Sequence, residues 1–144
     1  MKITVKVERE FDYPCEQVWR LLEDFGNIHW APGIDKLEII GDGIGMIRRI
    51  HIDGLESPID EVLESRDPAA MEFSYGIPRG LPFPLKHYQA FSKTLSLSTT
   101  KTLVQWVSDC EPDGISVEDG SKLLINTYNQ LLDWIHDELQ RRHA

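Results

Sequence analysis

Asp24-Phe25-Gly26 carries the three letters with which protein kinases hold magnesium, so phosphoryl transfer is the first chemistry to weigh. A kinase places a glycine-rich loop, a lysine strand and a catalytic loop ahead of that motif, and only 23 residues precede Asp24. The glycines of Gly41-Asp42-Gly43-Ile44-Gly45 follow it, at the wrong spacing. Phosphoryl transfer is set aside. The sequence has no nucleophile beside a base, no cluster of metal ligands and no phosphate-cradling loop, so neither a metal nor a cofactor is expected.

The remaining polar candidates depend on which way strands point their side chains. These alternate between the two faces, so a strand's apolar residues mark the inward parity. Near residues 45–52, Met46, Ile50 and Ile52 share parity with Arg48, whereas Arg49 and His51 share the other with Ile47. Near 56–65, Ile59 and Leu63 share parity with Glu61, and Asp60 and Glu64 flank Val62 on the opposite face. Arg48 and Glu61 are thus expected to point inward from adjacent strands and to meet, since neither tolerates burial unpaired. Two roles stay open for them: a structural ion pair, or a polar anchor for a ligand between apolar walls.

The same parity turns Met71, Phe73, Tyr75 and Ile77 inward near 70–77, and Val104, Trp106, Ser108 and Cys110 near 102–111. Tyr75 and Trp106 bring large rings with a hydrogen-bonding handle to the interior. Near 87–98, Phe91, Leu95 and Leu97 compete with Tyr88 and Ala90, and a bulge could serve both sets.

The elements that must hold these residues follow from periodicity. Ile3, Val5 and Val7 alternate with charged neighbours, which predicts a first strand over residues 2–10. Pro14 suits a first helical turn, and Val18, Leu21, Leu22 and Phe25 recur at helical spacing up to Gly26, so the kinase-like letters are a helix end. After Asn27 to Trp30, Pro32 and Gly33 break the chain, and extended stretches follow near 35–40, 45–52, 56–65, 70–77, 87–98 and 102–111. Asp53-Gly54 predicts a tight antiparallel hairpin, and Asp67-Pro68 and Thr99-Thr100-Lys101 are further turns. From Val117 the period changes: Leu124, Tyr128, Leu131, Leu132, Ile135 and Leu139 line one face of a helix running to about Arg142, with Ser116 and Asp119 resembling a capping box. Leu123 and Trp134 lie off that face, Trp134 at an interface or against the sheet rim.

This order describes an α+β arrangement, an antiparallel sheet with its helices on one face. A sheet that curves over one long helix without closing on it leaves a cavity between them. Gly76 to Leu85 is too rich in Pro and Gly for a strand and sets Leu81, Phe83 and Leu85 in a surface loop, predicted to close one mouth of that cavity.

At 144 residues the chain is expected to be a single domain over 1–144, with 41% hydrophobic and 27% charged residues as in ordinary globular proteins. Lys plus Arg number 15 against 24 Asp plus Glu, a net charge of −9 that opposes nucleic-acid binding and disfavours anionic membranes. The start lacks a signal peptide's apolar run and no stretch is long enough to span a bilayer, so a cytoplasmic protein without membrane insertion is expected, as monomer or homodimer. Cys15 and Cys110 are expected to be free thiols.

In order and spacing the chain resembles the START-like, helix-grip superfamily and, within it, the polyketide cyclase/dehydrase and lipid-transport family. The resemblance rests on Pro14-x-x-x-Val18-Trp19, on Asp24-Phe25-Gly26-Asn27-x-x-Trp30-x-Pro32, on Gly45-x-x-Arg48, and on Glu61-x-Leu63, Asp67, Tyr75-x-Ile77, Trp106 and Glu111-Pro112. Cys110, where relatives tend to carry an aromatic, and the aliphatic Phe83 loop depart from it. The resemblance implies a curved seven-stranded antiparallel sheet gripping a long C-terminal helix, two short helices after strand 1, and an internal pocket for hydrophobic or polycyclic molecules. Trp30 would sit near its mouth, and a ligand would meet Arg48, Glu61, Phe73, Tyr75, Phe83, Tyr88, Trp106 and Tyr128. A carrier or sensor of a small hydrophobic ligand needs only such a closable cavity. The alternative is a cyclase or dehydratase, with Glu61 as base and Arg48 and Tyr75 as donors to a developing oxyanion, although an arginine partner weakens a glutamate as a base. His87 is a second candidate base if the loop carries it inward, while His29, His51, His136 and His143 have no convergent partners and are expected to be solvated.

Overall fold

A computed structural model describes residues 1–144. In chain order the elements are β1 (Ile3–Phe11), α1 (Cys15–Glu23), β2 (Ile34–Ile40), β3 (Ile47–Ile52), β4 (Ile59–Asp67), β5 (Glu72–Arg79), β6 (Leu85–Ser98), β7 (Lys101–Pro112) and α2 (Val117–Arg142). The strands form one antiparallel sheet in the order β1-β7-β6-β5-β4-β3-β2. Every sequential neighbour from β2 to β7 is joined by a local connection, and only β1 crosses over to pair with β7.

The 26 residues of α2 form a rod of about 39 Å. Its buried stripe, Leu124, Tyr128, Leu132, Ile135 and Leu139, lies against the concave face, where it meets Ile3, Val5 and Val7 of β1 and Val104 and Trp106 of β7. Ser116 caps the helix by accepting from the Asp119 amide at 3.0 Å, which satisfies one of the donors that the first turn leaves open. Near the other end, Arg141 and Arg142 donate to the buried carboxylate of Glu138, and that hydrogen bonding, from Arg142 first, holds the Glu138 carboxyl below the usual range. Gly120 is the point of closest approach to the sheet: a Cβ there would lie 2.7 Å from Ile3 Cδ1.

Three expectations need correction, and the open choice of face in β6 is decided. The second short helix after β1 is only a pair of turns, closed by Asn27 N–H to Asp24 O and Ala31 N–H to Ile28 O, because Pro32 and Gly33, at φ 85°, stop any further winding. Asp53-Gly54 does form a turn, with Leu55 N–H on Ile52 O, yet β4 starts only at Ile59 because Pro58 cannot donate to the ladder; the pairing is antiparallel as expected, the hairpin longer. The Pro/Gly-rich segment is shorter than its composition implied. β5 runs on through Gly76, Ile77 and Pro78 to Arg79, since Pro78 lies beyond Gly76, where pairing with β6 ends, leaving the loop only residues 80–84. In β6 the ambiguity resolves through a bulge between Lys86 and Gln89, where His87 takes φ 56°, so that Leu85, Tyr88, Ala90, Ser92 and Thr94 face in. Phe91 and Leu97 are left outside, 36% and 51% exposed.

Gly80 opens the short loop at φ 76°, and a Cβ there would come 1.9 Å from the backbone oxygen of Pro58. Neither the backbone conformation nor the space admits a side chain. Gly80→Ala is expected to lower the stability of the whole chain by roughly 2–3 kcal/mol in urea denaturation, with the two strand ends forced apart; an unchanged midpoint would show that the loop does not pack as described.

Candidate functional site

α2 does not fill the trough beneath the sheet. Between them lies a cavity of about 360 Å³, and 18 of its 25 lining residues are hydrophobic. That volume falls at the low end of the range for small-molecule sites. Its floor is the inner face of β3 to β7, one wall is the end of α1 with the turns that follow, and the other is the Thr127, Leu131 and Trp134 side of α2.

The floor is built by pairing large side chains with small ones. Across the strands, Phe73 of β5, Ser92 of β6 and Trp106 of β7 stand in one row, and Tyr75, Ala90 and Ser108 in the next. The small residues leave room for the rings to lean together: Phe73 meets Trp106 edge-on at 5.8 Å, and Tyr75 meets Trp106 at 6.2 Å and Tyr88 at 6.3 Å between centroids. The hydroxyls of Ser92 and Thr94 make no hydrogen bond, and that of Ser108, next to Tyr128, makes none of good geometry.

Arg48 and Glu61 face each other on adjacent strands and form an ion pair, Nε to Oε1 at 2.5 Å, with side chains only 10% and 13% exposed. Arg48 also donates through Nη1 to the Phe25 carbonyl at 3.0 Å and lies 3.9 Å over the Phe25 ring. A single guanidinium therefore joins the end of α1 to two strands. Nη2 of Arg48 and Oε2 of Glu61 take part in no hydrogen bond with the protein, and both residues line the cavity. One rung along, Arg49 and Asp60 form a second pair on the opposite face, at 2.7 and 3.1 Å, whose hydrogen bonding holds the Asp60 carboxyl below its usual range. The alternation of parity thus sorts two consecutive arginines onto opposite faces of one sheet.

At the deep end, Tyr88 and Tyr128 share a hydrogen bond between their hydroxyls, and Trp106 Nε1 donates to the Tyr75 hydroxyl at 3.3 Å. Burial, which penalises the charged phenolate, pushes Tyr128 up to about 12 and Tyr75 and Tyr88 well above the ordinary tyrosine range. These groups are neutral donors at any physiological pH.

All nine residues expected around a ligand line this cavity: Trp30 from the turns after α1, where its indole donates to the Asn27 carbonyl, Phe83 from the 80–84 loop, Arg48 and Glu61 on one side, and Phe73, Tyr75, Tyr88, Trp106 and Tyr128 at its aromatic end. The structure does not bring His87 to them. It is exposed on the outer surface and pairs with Glu111, because the bulge that turns Tyr88 inward turns His87 out. His51 has a partner after all, its Nε2 donating to the Glu38 carboxylate of β2 at 3.0 Å. Sequence reasoning missed Trp134, which with Thr127 and Leu131 forms a second stripe at i, i+4 and i+7 beside the main one, and it missed the supporting place of Phe25, which does not line the chamber but packs against Arg48, Phe73 and Tyr75. Both cysteines are free, and burial pushes the Cys110 thiol up.

A curved antiparallel sheet, a long helix across it and an apolar chamber with a few polar groups define the helix-grip class of cavity proteins. The chain belongs to the polyketide cyclase/dehydrase and lipid transport family, whose model matches residues 2–138. An uncharacterised protein from Bacillus thuringiensis has the same fold, with a TM-score of 0.83 and 22% identity over 95% of this chain and 98% of its own. The Zhui aromatase/cyclase from Streptomyces does so at TM-score 0.79 and 19% identity, over 100% and 97%. A point mutant of norcoclaurine synthase from Thalictrum flavum, in complex with a transition state analogue, does so at 0.80 and 16%, over 100% and 98%. No curated protein sequence matches the chain. No helix is long and apolar enough to cross a membrane.

Two outcomes test the site's electrostatics. Arg48→Leu, which strands a buried carboxylate, is expected to cost about 3–5 kcal/mol in chemical denaturation, and adding Glu61→Leu to recover most of that loss. Unfolded tyrosines ionise near pH ~10, so the unfolded chain releases these protons before the folded one; the stability they contribute is complete below about pH 10 and lost above it. Phenolate absorbance should therefore report three of the four tyrosines as neutral at about pH 11 until the chain unfolds.

Proposed function

We propose that the protein binds one small hydrophobic or polycyclic molecule in the cavity between sheet and α2, and acts as its carrier or sensor. The observation that carries this reading is the composition of the chamber: mostly apolar walls, a ring-lined end, and few buried polar groups, chiefly the Arg48–Glu61 pair and the tyrosine hydroxyls. Such a site gains affinity from area removed from water and orientation from a few fixed donors and acceptors. Trp30, Phe83 and Trp134, from three different elements around the opening, are the residues that a ligand would pass and then be covered by.

The cyclase or dehydratase alternative draws on the Streptomyces aromatase/cyclase and the norcoclaurine synthase, which share the fold. It needs a base for a carbon-bound proton and an acid for a leaving hydroxyl. Of the two acidic residues that line the cavity, Glu61 is already engaged by Arg48 and Asp24 is exposed at the end of α1; the histidine that might replace them faces outward, and the tyrosines hold their protons firmly. Carriage is therefore favoured over catalysis.

Native mass spectrometry of protein purified from its own host is expected to find one small molecule per chain, chemically unchanged on release and rebinding. Ile50→Trp, which fills the chamber from its floor, should abolish the adduct while circular dichroism reports an intact fold. A molecule retained equally by the filled variant would place binding elsewhere and overturn the reading.

A further inference from the structure

The hydroxyl cluster at the deep end has an unbalanced count of protons. Trp106 Nε1–H can only donate, and it does so to Tyr75. The Tyr75 hydroxyl has a proton of its own and no acceptor for it, and Tyr88 and Tyr128 bond to each other, so one of those two hydroxyls also keeps a proton to place. The cluster contains no carbonyl or carboxylate that takes the last proton. Whichever of Tyr88 and Tyr128 donates, the other is left with an O–H that no group meets in good geometry, Ser108 beside Tyr128 included, and Tyr75, Tyr88 and Tyr128 all line the cavity. A buried donor left unmade is costly, and the same donor supplied with an acceptor is correspondingly selective.

The other pole of the chamber has a different character. Arg48 is neutralised by Glu61, so no uncompensated positive charge greets an anion, and the other acidic residue of the lining, Asp24, is exposed to solvent and not buried among the rings. A carboxylate or ammonium brought into this apolar space would lose its hydration without gaining a counter-ion. Faces of Phe73, Tyr75 and Trp106 set the shape of what lies between the poles.

Resting on the carrier reading above, we propose that the ligand is a neutral, ring-shaped molecule with a carbonyl oxygen, and that this oxygen is held by the Tyr88 and Tyr128 hydroxyl pair. Fatty acids, other carboxylates and amines are excluded from the class. The tyrosines serve as fixed donors that bind and orient the carbonyl; no bond is made or broken. Because their phenols stay neutral well past physiological pH, recognition does not vary with pH between about 6 and 9.

The test uses the full chain and four probes of one shape: fluorene, fluorenone, fluorene carboxylate and 9-(aminomethyl)fluorene, an alkylammonium at neutral pH, titrated calorimetrically. Fluorenone is expected to bind about tenfold more tightly than fluorene and than either charged analogue. Its carbonyl stretch, read by infrared difference spectroscopy, should lie below its frequency in an apolar solvent. In Tyr88→Phe/Tyr128→Phe the ratio of fluorenone to fluorene affinity should fall to within about twofold and the band should return. Fluorene binding as well as fluorenone, a carboxylate or amine binding most tightly, or a preference that survives the double variant would each overturn the carbonyl assignment while leaving a ligand-binding chamber. Failure of all four probes to bind would overturn the carrier reading as well.

Discussion

A guanidinium buried in an apolar wall constrains everything around it. Arg48 must be neutralised, and Glu61 across the strand does that; it must also spend its remaining donors, and the carbonyl of Phe25 at the end of α1 accepts one. These bonds fix the end of the first helix against β3 and β4, with the Phe25 ring pressed beneath the charge. Asp24-Phe25-Gly26 is thereby explained without any metal. It is the place where a helix stops and its last carbonyls are handed to the sheet. Gly26 keeps that corner thin, since Met46 and Ile39 side chains approach to within 3.4 and 3.5 Å of where a Cβ would be.

The chamber persists because size is alternated along the rows of the floor. Had Ser92, Ala90 and Ser108 been large, they would have met α2 directly and closed the space; had Phe73, Tyr75 and Trp106 been small, the floor would have lost its rings. The stripe of α2 that does reach the sheet, Leu124 through Leu139, anchors the helix on β1 and β7 and leaves the β3 to β5 side uncovered. The volume that remains is small enough to hold one compact molecule and too small for a lipid with two long chains.

Charge is distributed so that it serves the outside and is cancelled inside. Most of the acidic excess lies on exposed positions, while Arg48 with Glu61, Arg49 with Asp60, and Glu138 with Arg141 and Arg142 are each satisfied locally. A chamber whose buried charges cancel selects by shape and by hydrogen bonds. That property suits carriage of a neutral molecule, and it argues against the proton transfers that an aldol reaction requires.

Much of this was legible in the residue order because strands and helices impose fixed periods on side-chain direction. Period two in β3, β4, β5 and β7 was enough to turn Arg48, Glu61, Tyr75 and Trp106 inward and to pair the first two, and period 3.6 was enough to draw α2 with Tyr128 on its buried face. Periodicity fails where the backbone departs from the repeat. In β6 it was the bulge at His87 that decided which set faced in, sending the histidine out and Tyr88 toward Tyr128. Pro78 could stay in a strand only because its β6 side had already come free, a fact about neighbours that no local pattern contains. The meeting of Phe25 with Arg48, the second stripe of α2 that brings Trp134 to the opening, and the unbalanced protons of the hydroxyl cluster all join residues far apart in the chain. Sequence determined which side chains look inward; tertiary packing alone decided which of them touch, because contact depends on curvature and on the distance between elements, and neither is a property of any one segment.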